Sequence, residues 1–181
     1  MLDLRYLPPE AGLYPAPPLP ETELCVRMAG VEDWPPLRAL LREAGLRLAG
    51  IAGPRCSMLV LEREGAGPAA GGIRGCLAVE HGPTALLRSL VVSPDDAIRG
   101  YDGLLIQAAL RMSHAHGARD AVLIVERPAQ LPLPARRLET VAWRDLRRMC
   151  PASALVRELS LPSSGALALR LALPQNVVFL T

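Results

Sequence analysis

Apolar residues occur along the first half of the chain in short runs, and each run is followed by a turn or a polar segment. The runs predict strands over 24–29, 57–61, 73–80 and 85–92. Short connections join the last three of these strands, so the pattern predicts an antiparallel meander.

Helical spacing replaces the short runs at two places. One amphipathic helix is predicted over 35–46, because apolar residues recur there at intervals of three and four: Leu37, Leu40, Leu41 and Ala44. A second helix is predicted over 104–116, with Gly117 as its stop. The uninterrupted apolar run over 121–125 predicts a strand buried on both faces. Because a helix lies between this strand and the strand over 85–92, the order predicts a right-handed parallel crossover.

The two ends of the chain differ from this central region. Six prolines within 1–20 predict an extended arm, because proline fixes φ and removes a hydrogen-bond donor. Beyond the crossover the pattern predicts a helix within 135–149 and strands over 154–159, 165–173 and 176–180, the last two forming a hairpin. We therefore expect an arm (1–20), one α/β domain (21–160) and a C-terminal strand extension (161–181).

Composition narrows the class of protein. A net charge of +2 over 181 residues is too small to favour nucleic-acid binding. No apolar run reaches the roughly 18 residues of a membrane span, and 2–20 lacks the apolar core of a signal peptide, so we expect a cytoplasmic protein with reduced thiols. Its four cysteines form no C-x-x-C pair, and we expect no metal site.

One segment carries a chemical signal. The apolar strand over 85–92 runs into a loop that contains Arg99, Gly100 and Gly103, and a helix follows at once. Backbone N–H groups of such a loop, with the positive end of a helix dipole behind them, bind phosphate groups. The sequence therefore predicts a phosphate cradle between this strand and the next helix.

Three segments in the same order resemble the GNAT (acyl-CoA N-acyltransferase) superfamily, and more narrowly its arsenic-resistance N-acetyltransferase branch. They are the helix over 35–46, the region 81–92 with the following helix and strand, and the sequence Cys-Pro-Ala-Ser-Ala over 150–154. The resemblance implies a mixed central sheet with an antiparallel N-terminal meander and one strand–helix–strand crossover, to which this chain adds a C-terminal hairpin.

The resemblance also implies a donor, acetyl-CoA, and a small-molecule amine as acceptor. In the superfamily the loop reads Arg-Gly-x-Gly-x-Gly and binds the pyrophosphate of acetyl-CoA. Here Arg99, Gly100, Tyr101 and Gly103 are the matching candidates, while Asp102 stands at the next glycine position in a lengthened, degraded loop. Val91 and Val92 are the expected N–H donors to the acetyl carbonyl, from the strand that precedes the loop.

Aspartate at position 102 has two interpretations. Its charge near a phosphate costs about 4 kcal/mol at 4 Å and an effective dielectric of 20, unless the side chain turns to solvent or pairs with Arg99. Alternatively, Asp102 caps the helix over 104–116, a favoured position for aspartate.

Catalytic candidates are Glu80, as a base acting through water, and Ser89, as an orienting group; each is also a common residue at a strand end or in a strand. The superfamily's usual tyrosine acid, which protonates the departing thiolate, has no counterpart after Tyr101. Two hypotheses follow: an acetyl-CoA-dependent N-acetyltransferase, or a non-catalytic protein of the same fold. In the second, the arm or the hairpin docks a protein partner or a second copy of the chain.

Overall fold

The computed structural model describes residues 24–63, 72–93, 96–97, 99–125, 139–159, 166–171 and 173. These ranges contain one seven-stranded sheet and four helices. The strands are β1 Leu24–Met28, β2 Cys56–Arg63, β3 Ile73–Glu80, β4 Thr84–Val92, β5 Asp120–Val125, β6 Glu139–Thr140 and β7 Leu167–Leu171. The helices are α1 Trp34–Glu43, α2 Tyr101–Ala115, α3 Trp143–Met149 and α4 Ala154–Glu158.

The sheet has the strand order β1-β2-β3-β4-β5-β7-β6. β1 to β4 form an antiparallel meander, β4 and β5 are parallel and joined through α2, and β7 pairs antiparallel with both β5 and β6. The mixed sheet, the meander and the single crossover confirm the predicted fold class.

Helices cover both faces of the sheet. On one face, α2 packs through Leu105, Ile106 and Ala109 onto the inward side chains of β2 to β5. On the other face, α1 buries Leu37 and Leu41 against β2 and β3, while α3 and α4 cover β4, β5 and β7. The sheet is thus buried between two layers, as its long apolar runs require.

Two predictions about the C-terminal half need correction or extension. The strand predicted over 154–159 is wrong, because these residues form α4. The side chain of Ser153 accepts a hydrogen bond from Val156 N at 3.3 Å and caps that helix, a signal that outweighs the short apolar run. Within the helix predicted over 135–149, the described residues form β6 and then α3.

The strand predicted over 165–173 is confirmed as β7, which lies inside the central sheet beside β5. The predicted arm over 1–20 and the hairpin partner over 176–180 lie outside the described residues. No described helix is long and apolar enough to span a membrane.

Candidate functional site

The candidate site begins where β4 separates from β5. The two strands pair only between Thr84 and Leu87 of β4, opposite Asp120 to Leu123 of β5. β4 continues to Val92 but from Arg88 onward it is paired with β3 alone. A gap therefore opens along the second half of β4, on the side where β5 would otherwise lie.

A β-bulge marks the start of this gap. Cys76 of β3 pairs with Val91 and Ala78 pairs with Arg88, so Ser89 and Leu90 together oppose Leu77. Ser89 has φ 56°, the left-handed region that a non-glycine residue adopts only at a cost. Its side chain is buried, and its Oγ has no hydrogen-bond partner among the described residues. Such strain and such an unpaired hydroxyl are typical of a functional site.

The ladder of hydrogen bonds between β3 and β4 decides which backbone N–H faces the gap. Ser93 N donates to Arg74 O at 3.0 Å. N–H groups alternate in direction along a strand, so the N–H of Val92 points away from β3 and that of Val91 points towards it. Of the two predicted donors, Val92 is the one whose geometry suits a carbonyl in the gap.

The loop after β4 is held to β3 by a small polar network. The guanidinium of Arg74 donates to Asp96 Oδ2 at 2.8 Å and to Ser93 Oγ at 3.2 Å, and Ser93 Oγ also donates to Asp96. Asp96 is buried. The network fixes the start of the loop close to the end of β4.

The loop then enters α2 through Gly100. Gly100 has φ 77° and is the N-cap residue, so a residue without a Cβ is needed there. Arg99 beside it is exposed and makes no hydrogen bond or ion pair within the described part of the chain. The sequence placed the start of the helix at Leu104, whereas α2 begins at Tyr101.

Gly103, the third residue of α2, faces open space. A Cβ built at Gly103 would meet no atom within 4 Å, and its φ lies outside the left-handed region. Neither packing nor backbone conformation within the described chain therefore requires a glycine here. The absent side chain leaves this surface open to the close approach of an external group.

Asp102, beside it, is turned into the protein. The residue is 3% exposed, and Oδ1 accepts the hydrogen bond of Gly103 N at 2.8 Å. Oδ2 has no described partner, and burial raises the pKa of this carboxyl. Neither the solvent-facing position nor a pair with Arg99 is found. The predicted interaction with the helix start is found, but from within the first turn and not from the N-cap.

Unpaired buried polar atoms concentrate around this site. Within the described residues there are five such atoms, and four of them lie between positions 88 and 102. The four are Arg88 Nε, Ser89 Oγ, Tyr101 OH and Asp102 Oδ2. Because native proteins pair nearly all buried polar groups, this concentration indicates a place where water or a ligand completes the bonding.

Glu80 lies at the end of β3, on the face opposite α2. Its Oε1 accepts a hydrogen bond from Arg88 Nη1 at 2.8 Å. Arg88 is fully buried and also donates to the carbonyl oxygens of Ala49 and, at 2.9 Å, Arg47. Arg88 thus ties the segment between α1 and β2 to β4, next to the bulge, and holds the carboxylate of Glu80 there.

Arg88 was missing from the sequence-based site, although its charge inside the apolar sequence Leu-Leu-Arg-Ser-Leu was the available signal. A buried cation requires partners, and those partners come from segments remote in sequence.

The histidines and Cys150 lie outside this site. His81 Nε2 is hydrogen-bonded to Ser57 Oγ at 2.7 Å, and its ring stacks on that of His116 at 4.2 Å between centroids. Burial, with His116 nearby, lowers the pKa of His81. Cys150 is buried, which raises the pKa of its thiol to about 12 and keeps the thiol protonated. No group of three or more metal-ligating side chains suited to a metal ion occurs in the described ranges.

The structure brings most of the predicted residues to one end of β4. Ser89, Val91, Val92, Gly100, Tyr101 and Gly103 line the end of β4 and the start of α2. Glu80 reaches the other face of the same region through Arg88. Arg99 lies at the exposed side of the loop.

Comparison by sequence finds no match, either to a protein-family model or to a curated protein. Comparison by structure finds acetyltransferases. One is N-acetylglutamate synthase from Neisseria gonorrhoeae, solved with coenzyme A and N-acetyl-glutamate, with 19% identity and a TM-score of 0.64 over 86% of this chain. The chain spans 36% of that synthase.

A second structure is Rv2747 from Mycobacterium tuberculosis, solved with CoA, with 19% identity and a TM-score of 0.55. The match covers 83% of this chain and 99% of Rv2747. At these identities the likeness establishes the fold. Both of these proteins were solved with CoA bound. The chain therefore has the fold of the GNAT acetyltransferases.

Proposed function

We propose that the chain is an N-acetyltransferase that moves an acetyl group from acetyl-CoA to a small-molecule amine. The observation that carries this proposal is the separation of β4 from β5 after Leu87, with a strained bulge at Ser89 beside it. The gap offers an extended thioester a place between two strands, with a free backbone N–H on one wall.

Each part of the site has a role in this proposal. The N–H of Val92 donates to the acetyl carbonyl and stabilises the oxyanion as the amine attacks the thioester carbon. The loop from Arg99 to Gly103 and the first turn of α2 hold the diphosphate of the donor. Ser89 orients the acceptor or a water molecule through its unpaired Oγ.

Glu80 takes the proton of the attacking ammonium through a water molecule in this scheme. Its pair with Arg88 ties the carboxylate to the residue at which the gap begins. The departing thiolate takes its proton from water, since the usual tyrosine has no counterpart in the sequence. The C–N bond forms as the C–S bond breaks, and the products are an N-acetyl amine and free CoA.

The narrower placement, in the arsenic-resistance branch, rests on the three sequence segments given above. A cytoplasmic location and a partner at the arm or the C-terminal hairpin are further parts of the proposal. They rest on the sequence pattern alone.

One contact favours the second candidate, a non-catalytic protein of the same fold. Asp102 bonds an amide of the first turn of α2, where a donor's phosphate would bind. In this candidate, the carboxylate permanently occupies the position of the donor's phosphate.

Calorimetry with acetyl-CoA separates the two candidates. An enzyme is expected to bind acetyl-CoA with micromolar affinity and to release an acetylated amine, detected by mass spectrometry, from a panel of small amines. The absence of binding at millimolar acetyl-CoA contradicts the proposal.

A pair of variants tests where the donor binds. Gly103→Val adds a side chain to the open surface at the start of α2 and is expected to abolish binding. Ala115→Val places the same side chain at the exposed far end of α2 and is expected to leave the affinity unchanged. Equal affinities for the two variants contradict this location.

A further inference from the structure

Asp102 supplies the start of α2 with an anion from the chain itself. Its Oδ1 is 2.8 Å from Gly103 N, and its own backbone N–H also favours the charged form. Gly103 N also donates to Gly100 O at 3.0 Å, so this amide serves a backbone carbonyl as well as the carboxylate, and the helix dipole attracts negative charge to the first turn. The position that suits an external anion is therefore already shared with a carboxylate.

This internal anion is incompletely satisfied. The residue is 3% exposed, while Oδ2 has no described hydrogen-bond partner. Burial opposes the charged form and raises the pKa of the carboxyl. A fully bonded structural cap would not leave one oxygen of a buried carboxyl unpaired.

The nearby positive charges do not neutralise Asp102. Arg74 is engaged by Asp96 at 2.8 Å, and Arg99 is exposed without an ion pair to the described residues. An incoming diphosphate at the first turn of α2 would therefore meet Asp102 at close range, with Arg99 as the available counter-charge.

We propose that Asp102 is a specificity residue for the acyl donor, one that reduces the advantage of CoA over donors with less phosphate charge. The proposal rests on the function proposed above. The carboxylate repels the diphosphate at the first turn of α2, whereas the pantetheine end of the donor lies in the gap beside Val92, away from α2. Acyl-pantetheine and acyl-phosphopantetheine thioesters are the donors whose affinity is reduced least by this repulsion.

The experiment compares CoA, phosphopantetheine and pantetheine by isothermal titration calorimetry on the full chain. The variant is Asp102→Asn, which keeps an oxygen for the Gly103 amide but removes the charge. A control is Asp145→Asn, which removes one negative charge from a partly exposed position on α3, where Asp145 faces Arg144 and Arg148. Circular dichroism and thermal melting check that each variant is folded.

Asp102→Asn is expected to tighten CoA by about tenfold or more, because like charges a few ångströms apart repel by more than the about 1.4 kcal/mol of one factor of ten. The affinity for phosphopantetheine is expected to increase less, and the affinity for pantetheine to stay within twofold of the native value. Asp145→Asn is expected to leave all three affinities unchanged.

Two results overturn this role while the proposed function stands. One is CoA binding that is equal in the native chain and in Asp102→Asn, and the other is an equal gain for CoA and pantetheine. If no ligand binds to the native chain, to Asp102→Asn or to Asp102→Gly, the proposed function itself fails and this role fails with it.

Discussion

The two halves of β4 differ sharply although they belong to one strand. Between Thr84 and Leu87 the strand pairs with β5, Leu86 and Leu87 pair with β3 as well, and Ala85, Leu86 and Leu87 are fully or almost fully buried. Between Arg88 and Val92 it has lost β5, and two polar residues are buried in it. The first half joins the two parts of the sheet, and the second half leaves backbone groups unpaired on the side of the gap.

The difference shows how a strand can serve both purposes. The bulge at Ser89 turns β4 at the position where its pairing with β5 ends. Arg88 secures the turning point, because its guanidinium bonds both to Glu80 and to the backbone between α1 and β2.

The largest expected effect is a difference in stability between the two halves. Leu87→Ala removes a fully buried side chain from the core under α2 and is expected to cost about 3 kcal/mol or more in free energy of unfolding. Val92→Ala, in the half that borders the gap, is expected to cost about 1 kcal/mol, since Val92 is only partly buried. Urea denaturation measures both, and equal costs would contradict the comparison.

The second prediction concerns the boundary between the halves. Arg88→Met keeps the apolar stem but loses the bonds to Glu80, Ala49 and Arg47, and is expected to cost about 2–3 kcal/mol. Glu80→Gln keeps an acceptor for Arg88 and is expected to cost about 1 kcal/mol. Denaturation of both variants tests this order; a smaller cost at Arg88 than at Glu80 would show that its bonds to the loop carry little stability.

The apolar half of β4 is the part that the sequence predicts well. Hydrophobic runs and the strand–helix–strand order predict the meander, the crossover and the helices α1 and α2, because burial on both faces leaves a continuous apolar pattern. The break in pairing after Leu87 leaves no such pattern, since Leu90, Val91 and Val92 continue the apolar run.

The second half depends on contacts between distant segments. The partners of Arg88 come from Glu80 and from positions 47 and 49, which no local spacing relates. Asp102 was recognised from a family pattern, but the burial of its side chain follows from where α2 begins, three residues before the predicted start. The α4 segment was mistaken for a strand because six residues with apolar positions fit either period.

The third prediction compares the stability of the native chain and of Asp102→Asn at different pH values. The folded pKa of Asp102 is raised, so its contribution to stability is fully present below its ordinary pKa of 3.8 and is lost as the pH rises through the folded pKa. The variant is therefore expected to gain stability relative to the native chain as the pH is raised from 3.5 to 7.5. A difference that stays constant across this range would show that the carboxyl is not strained by burial.

The smallest expected effect separates stability from binding at the start of α2. Gly103→Ala is expected to raise the free energy of unfolding by about 0.5–1 kcal/mol, because alanine favours the helix and its methyl group meets no atom. The same change is expected to weaken CoA binding, since the methyl group covers the surface that the diphosphate approaches.

The control is Gly117→Ala, at the other end of α2. The φ of Gly117 is 78°, which makes alanine unfavourable there. The free energy of unfolding is therefore expected to fall by about 1 kcal/mol, with the CoA affinity unchanged. A more stable Gly103→Ala protein with native CoA affinity would show that the open surface at Gly103 is no part of the donor site.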